Sequence, residues 1–107
     1  MSVVVPNYNY AHLLAGRITT IANQTFPIHE LILLDDASSD ESLAVAEREL
    51  GKLSMTARLI VNERNSGSVF RQWLRGVEEA TGDFIWIAEA DDLSDPTFLA
   101  EAMRAFE

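Results

Sequence analysis

Four short apolar runs punctuate the chain, and each ends in a polar cluster. Ser2-Val3-Val4-Val5 is stopped by Pro6-Asn7-Tyr8-Asn9, and Leu31-Ile32-Leu33-Leu34 by Asp35-Asp36-Ala37-Ser38-Ser39-Asp40. Ala57-Arg58-Leu59-Ile60-Val61 is stopped by Asn62, and Phe84-Ile85-Trp86-Ile87-Ala88 by Glu89-Ala90-Asp91-Asp92. Unbroken runs of this length predict strands covered on both faces, as in parallel sheets flanked by helices. The intervening segments repeat with helical spacing. Leu14, Ile18 and Ile21 share one face of a helix over about residues 11–23. Leu43, Ala46 and Leu50 mark a second helix, with Gly51 as its terminator. Phe70, Trp73, Leu74 and Val77 form the apolar stripe of a third, ended by Thr81-Gly82. In the last, Asp95 is the expected N-cap and Pro96 the first helical residue, with Phe98, Leu99, Ala102, Met103 and Phe106 as the buried face.

This β-α-β-α-β-α-β-α alternation predicts an α/β fold of three layers, α/β/α, around a mainly parallel four-stranded sheet with right-handed crossovers. No repeat, low-complexity tract or linker interrupts it, so residues 1–107 read as one domain. The length of 107 residues and an apolar content of 48% fit one modest core. With no cysteine there is no disulfide, thiolate metal site or cysteine nucleophile. Eight Lys and Arg against 17 Asp and Glu leave a net charge of −9. That balance argues against nucleic acid as a partner. A phosphorylated small molecule remains compatible with it, because a divalent cation can reverse the sign locally. No apolar run reaches the roughly 18–20 residues of a membrane span, and no membrane segment is expected in this chain.

In an open parallel sheet the ligand sits beyond the carboxyl ends of the strands, where strand order reverses. Three of the four strand ends here are rich in carboxylates, amides and hydroxyls, and the third leads through Asn65-Ser66-Gly67-Ser68 to a helix carrying Arg71 and Arg75. Each feature also has a plain structural reading. Asp35 or Asp36 can end a strand, Asp40 can cap a helix, and Asp91 and Asp92 can be turn residues. Tyr8 can be a rim aromatic, Asn7 and Asn9 turn formers, and Gly67 a donor of positive φ. His12 and His29 read as surface or packing residues, Trp73 and Trp86 as core, and Arg71 and Arg75 as a solvated face. What favours a site is their joint occurrence on one rim. Hard oxygen ligands in Glu-x-Asp-Asp suit Mg²⁺ or Mn²⁺, with substrate phosphate completing the shell. The P-loop, the Gly-x-Gly-x-x-Gly fingerprint and the Gly-x-Ser-x-Gly elbow are all missing.

Taken together, Val3-Val4-Val5-Pro6-Asn7-Tyr8-Asn9, Leu34-Asp35-Asp36-Ala37-Ser38-Ser39-Asp40, Asn65-Ser66-Gly67-Ser68, Gly82-Asp83-Phe84-Ile85 and Glu89-Ala90-Asp91-Asp92 resemble the family 2 glycosyltransferases of the GT-A fold. Gln24-Thr25-Phe26-Pro27 matches that family's usual turn before the second strand. The resemblance covers nearly the whole chain and implies strand order 3-2-1-4. It implies a nucleotide-sugar site formed by Pro6, Asn7, Tyr8, Asn9, Asp35, Asp36, Arg71, Glu89, Ala90 and Asp91. Pro6 and Tyr8 would line the base pocket, Asp36 would accept from the base with Asp35 beside it, and Arg71 would approach the nucleotide. The family's Asp-x-Asp falls on Glu89-Ala90-Asp91, so Glu89 would stand near the ribose. Asp91 would ligate Mn²⁺ or Mg²⁺, with Asp92 supporting the metal shell. Glu89 departs from the commonest form by one methylene.

The resemblance further implies that this is the donor-binding half of a GT-A fold, with the acceptor-binding half and the catalytic base beyond Glu107. The parent would transfer a sugar from a nucleotide diphosphate sugar to an acceptor hydroxyl with inversion, in polysaccharide, cell-envelope or glycoconjugate biosynthesis. This chain alone would be inactive. A cytoplasmic location is expected, at the inner face of the membrane for the full-length protein. An exposed fourth-strand edge is expected to favour self-association as a homo-oligomer. The competing reading is a non-catalytic acidic α/β module, receiver-like or protein-binding. Against a receiver, the first strand ends in Pro6-Asn7 and the third in Asn62, where an acid pair and an acceptor Asp would stand.

Overall fold

All four expected strands and all four helices form in the computed structural model, which describes residues 1–105. In chain order they are β1 (Ser2–Asn7), α1 (Ala11–Ala22), β2 (Glu30–Asp35), α2 (Ser42–Leu50), β3 (Thr56–Val61), α3 (Val69–Glu79), β4 (Ile85–Ile87) and α4 (Phe98–Arg104). The sheet is parallel throughout, in the order β3-β2-β1-β4. β1 pairs with β2 along its whole length, from Ser2 opposite Glu30 to Asn7 opposite Asp35. With β4 it pairs only from Ser2 to Val4.

Successive residues of β1 and β2 face opposite sides, and the two sides are unequal. Val3, Val5, Leu31 and Leu33 meet Leu14, Ile18 and Ile21 of α1 and Val45 and Ala46 of α2. The opposite side buries Val4, Ile32 and Leu34 under α3. At about 1.5–3 kcal/mol per fully buried Val, Leu or Ile, the α1/α2 side supplies most of the apolar stabilisation.

α3 departs from the sequence reading. Its stripe of Phe70, Trp73, Leu74 and Val77 is exposed, at 61%, 38%, 48% and 48%, and the residues it buries are Gln72 and Gly76. The helix lies so close to the sheet that a Cβ on Gly76 would overlap the Val4 side chain. Periodicity identified a shared face correctly but not what covers it, so Trp73 is not a core residue. Trp86, in contrast, is half-buried against the α1/α2 core.

The last helix also starts later than expected. Asp95 Oδ1 accepts from the backbone N–H and hydroxyl of Thr97, closing a turn that contains Pro96, and α4 begins at Phe98. Leu99 is buried and Phe98 stacks on Trp86 at 5.1 Å, whereas Ala102 is exposed. Phe106 lies outside the described residues. The N-terminal peptides of α4 are held instead by Gln24. Its Oε1 accepts from Leu99 N–H (3.0 Å) and its Nε2 donates to Asp95 O (2.7 Å). Gly51 ends α2 as expected, in a right-handed conformation.

At the amino ends of the strands, buried Glu30 gathers the start of β1 and the α3–β4 turn. It accepts from Ser2 Oγ (2.8 Å), Thr81 N–H (2.7 Å) and Thr81 Oγ1 (2.8 Å). Burial by itself would raise its pKa. The Thr81 and Ser2 hydrogen bonds, with Arg58 nearby, outweigh that and hold it below the ordinary 4.5. A depressed carboxyl contributes stability that is fully present above the unfolded-state pKa and lost as pH falls through the folded-state value. Denaturant unfolding of Glu30→Gln should therefore show a loss of about 1–3 kcal/mol at pH 7. Below about pH 4.5 the difference from the parent should shrink. Gly76→Ala should cost a further 1–3 kcal/mol, roughly, by lifting α3 off Val4.

Candidate nucleotide and metal site at the carboxyl ends of the strands

The early end of β4 defines the site. The backbone of Ser2 and Val4 bonds toward β4, through Ser2 N–H to Phe84 O and Ala88 N–H to Val4 O. Pro6, two residues on, therefore turns its hydrogen-free nitrogen toward the side where β4 has stopped. A proline is tolerated in this inner strand because no ladder bond is lost there. A cavity of about 80 Å³ opens at this place, lined by Pro6, Asn7, Tyr8, Tyr10, Asp36, Val69, Gln72 and Glu89. It joins the ends of β1, β2 and β4 with the first turn of α3, at the point where strand order reverses. A roomier depression, about 510 Å³ around His12, Asp40 and Glu41, is a surface trough between α1 and α2.

The neighbouring acids Asp35 and Asp36 do different work. Asp35 is 1% exposed. Its Oδ1 accepts from Asn7 Nδ2 (2.9 Å) and Ser38 Oγ (2.7 Å), and its Oδ2 from Ser38 N–H (2.9 Å). It braces the turn and does not line the cavity. Asp36 does line it. Its Oδ1 accepts from Asn62 Nδ2 (2.9 Å) and Ser66 N–H (2.7 Å), and its Oδ2 from Ser66 Oγ (2.7 Å). A carboxylate has about four acceptor positions, so Oδ2 keeps one for a ligand donor. Asn62 also donates to Gln72 Oε1 (3.0 Å), tying this acid to α3.

Asn9 is a brace as well. It adopts a left-handed φ of 58°, and its Oδ1 accepts from Ser39 N–H (2.8 Å). Asp40 serves two helix starts, accepting from Ala11 N–H (3.1 Å) and Ser42 N–H (2.9 Å), and these bonds hold its pKa down against the effect of burial. Asn7 is 2% exposed, and among the described residues its Oδ1 has no donor.

On the β4 side, Glu89 reaches the cavity wall and its Oε1 accepts from Trp73 Nε1 (2.9 Å). Ala90 is buried. Asp91 and Asp92 are exposed and line a separate cavity of about 220 Å³ with His12, Leu13, Gly16 and Leu93. Among the described residues no three His, Asp or Glu side chains converge to hold a metal ion by themselves. The donors present fit an ion that takes one or two carboxylates and completes its shell from a phosphorylated ligand. Arg71 is exposed, outside the cavity wall.

Four contributors escaped the sequence reading. Tyr10 and Gln72 line the cavity, and Trp73 holds Glu89. The fourth, Arg17, occupies the apolar face of α1 among Leu14, Ile18 and Ile21, and is 2% exposed. A charge at a core position of an amphipathic helix was its one available signal.

The model of the family described as "Glycosyl transferase family 2" matches residues 2–107. This chain belongs to that family. EpsE of Bacillus subtilis strain 168 is 35% identical over 107 residues, which is all of this chain and 38% of that protein. The structure of Staphylococcus aureus TarS 1-349 in complex with UDP-GlcNAc is similar with a TM-score of 0.85 at 28% identity, covering 96% of this chain and 30% of the other. The mannosyltransferase PcManGT from Pyrobaculum calidifontis, in complex with GDP-Man and Mn²⁺, is similar with a TM-score of 0.87 at 26% identity, covering 96% and 31%. The chain thus spans well under half the length of the relatives it matches. No helix among the described residues is long and apolar enough to cross a membrane.

The loop after β2 stores a local strain. Ala37 sits at φ 60°, a left-handed conformation that costs a residue with a Cβ about 1–2 kcal/mol. Ala37→Gly should raise the unfolding free energy by about 1 kcal/mol after its own entropy cost. A higher denaturant midpoint at unchanged m-value would register it.

Proposed function

We propose that this chain is the nucleotide-sugar-binding half of a metal-assisted glycosyltransferase. The observation that carries the reading is the placing of Asp36 and Glu89 on one cavity wall beside Pro6 and Tyr8, where strand order reverses. The base would lie against Pro6 and Tyr8 and donate to the spare position on Asp36. Glu89, steadied by Trp73, would take a ribose hydroxyl. Asp91 would hold Mn²⁺ or Mg²⁺, with Asp92 supporting it, and the ion would offset the diphosphate charge that a chain of net −9 repels. Asn7, Asn9, Asp35 and Ala90 would set the frame on which these groups stand. The neighbouring structures support the ligand class: TarS is in complex with UDP-GlcNAc, and PcManGT with GDP-Man and Mn²⁺.

In the longer proteins it resembles, residues 1–107 would form one domain, and an acceptor-binding half would bring the general base within hydrogen-bond reach of the acceptor hydroxyl. Transfer with inversion onto a cell-envelope or polysaccharide acceptor is the activity we infer. The name of TarS, poly(ribitol-phosphate) β-N-acetylglucosaminyltransferase, supports that acceptor class. The isolated chain would bind donor without turning it over.

Thermal unfolding with UDP or GDP tests this reading. With Mn²⁺ present at hundredfold saturation the stabilisation should be about 2.7 kcal/mol, a rise in Tm on the order of 10 °C. Asp91→Ala should remove the rise while the circular dichroism spectrum stays unchanged. A rise that needs no metal, or that survives the substitution, contradicts the proposal.

A further inference from the structure

Arg17 has no role in the reading above, and its surroundings are unusual. Burying a guanidinium is costly without a charged partner. Among the described residues Arg17 has no carboxylate within ion-pairing distance, and its Nε has no acceptor. Its contacts run to the segment after β4. Nη1 donates to Ser94 Oγ at 2.8 Å, and the guanidinium carbon lies 5.0 Å from the centre of the Trp86 ring. One residue earlier on α1, Gly16 lines with Leu93 the cavity that Asp91 and Asp92 also line.

We propose that Arg17 is the positioning residue of the acidic loop: a buried cation on α1 that anchors residues 89–94 through Ser94 and holds Asp91 and Asp92 in place before a metal ion arrives. The proposal rests on the functional reading for the use of those two acids, but not for the anchoring itself.

Three observations converge on it. Clustered carboxylates repel one another, and a fixed positive charge beneath them reduces the cost of keeping them together. Burial pushes the Arg17 pKa down, while Asp92, Asp91 and Glu89, in that order, act to raise it, so these acids are the charges that the guanidinium feels. The residues that follow Ser94 are tied to the turn after α1: Gln24, seven residues beyond Arg17, binds Asp95 O and Leu99 N–H, and Thr25 N–H donates to Pro96 O at 2.9 Å. The C-terminal end of the loop is therefore held twice, at Ser94 by α1 and at Asp95 and Pro96 by the turn after it, while Trp86, ahead of the loop, lies against the same guanidinium. Arg17 supplies the charged hold.

The test uses the whole chain in two arms. In the first, amide hydrogen exchange is followed without metal in the parent, Arg17→Met, Arg17→Lys and Ser94→Ala. Exchange over residues 90–95 should quicken at least tenfold in Arg17→Met and severalfold in Ser94→Ala, with the β1 and β2 amides unchanged. Arg17→Lys, which keeps the charge and N–H donors at the end of a flexible chain, should recover most of the protection. In the second arm, Mn²⁺ affinity is measured by the paramagnetic resonance of free Mn²⁺ in the presence of UDP. Arg17→Met should weaken it at least tenfold and Ser94→Ala about threefold.

Unchanged exchange over 90–95 in both variants overturns the proposal. So does Mn²⁺ binding that is equal or tighter in Arg17→Met, since the guanidinium would then merely repel the ion. If Arg17→Met does not fold, Ser94→Ala decides both arms. If the parent binds no Mn²⁺ with UDP yet exchange responds as expected, the anchoring stands and the functional reading falls.

Discussion

The unequal pairing of β1 governs the rest of the molecule. On one side its backbone is bonded to β2 as far as Asn7, and on the other to β4 only as far as Val4. The last residues of an inner strand are thus left with an open flank, a situation that would ordinarily orphan a buried N–H. Pro6 has none to orphan. The flank can remain unpaired at little cost, and the cavity occupies it. An ordinary residue in place of Pro6 would bring a donor that needs a partner, and β4 ends too early to provide one.

Around that opening, carboxylates divide by how many donors they already have. Glu30 and Asp35 are buried and accept from three donor groups each, so they act as fixed joints between segments distant in sequence. Asp36 is nearly saturated, with one acceptor position left. Glu89 has one oxygen committed to an indole, and Asp91 and Asp92 are exposed. Binding capacity therefore increases across the rim from β2 to the loop after β4. The rigid end suits recognition of neutral donors, and the open end suits a hard cation. A diphosphate would meet the second region and a base the first.

Most of the architecture could be read from the chain because it depends on local, repeating signals. Four apolar runs with helices between them leave parallel pairing as the economical arrangement, and the resemblance supplied the strand order. What escaped depends on non-local facts. Asp35 and Asp36 are chemically identical neighbours; only the strand's alternation, which points them to different surroundings, separates a brace from a cavity acid. The α3 stripe was misread because helical spacing reports a common face and is silent on its cover, and here Gly76 fits the sheet while the larger side chains stay outside. Asp95 looked like a cap because a side-chain acceptor two residues before a free N–H serves a turn and a helix start equally well. The role of Arg17 escaped for a different reason. Its partners lie 69–77 residues further along the chain, and no local pattern encodes them.

The same helix explains how an acidic loop can be kept in one place. Left alone, Glu89, Asp91 and Asp92 would separate by repulsion, and the loop would have to be ordered at the moment of binding, at an entropic cost of about 1–2 kcal/mol for each backbone residue fixed. Gln24 and Arg17 shift that ordering into the folding of the protein, one through backbone hydrogen bonds and the other through a buried charge. The Trp86 ring beneath the guanidinium fixes its depth, and Phe98 stacks on the same ring. A single half-buried tryptophan therefore links the start of α4 to the cation beneath the acids, so the geometry at the loop is set by packing in the layer below it.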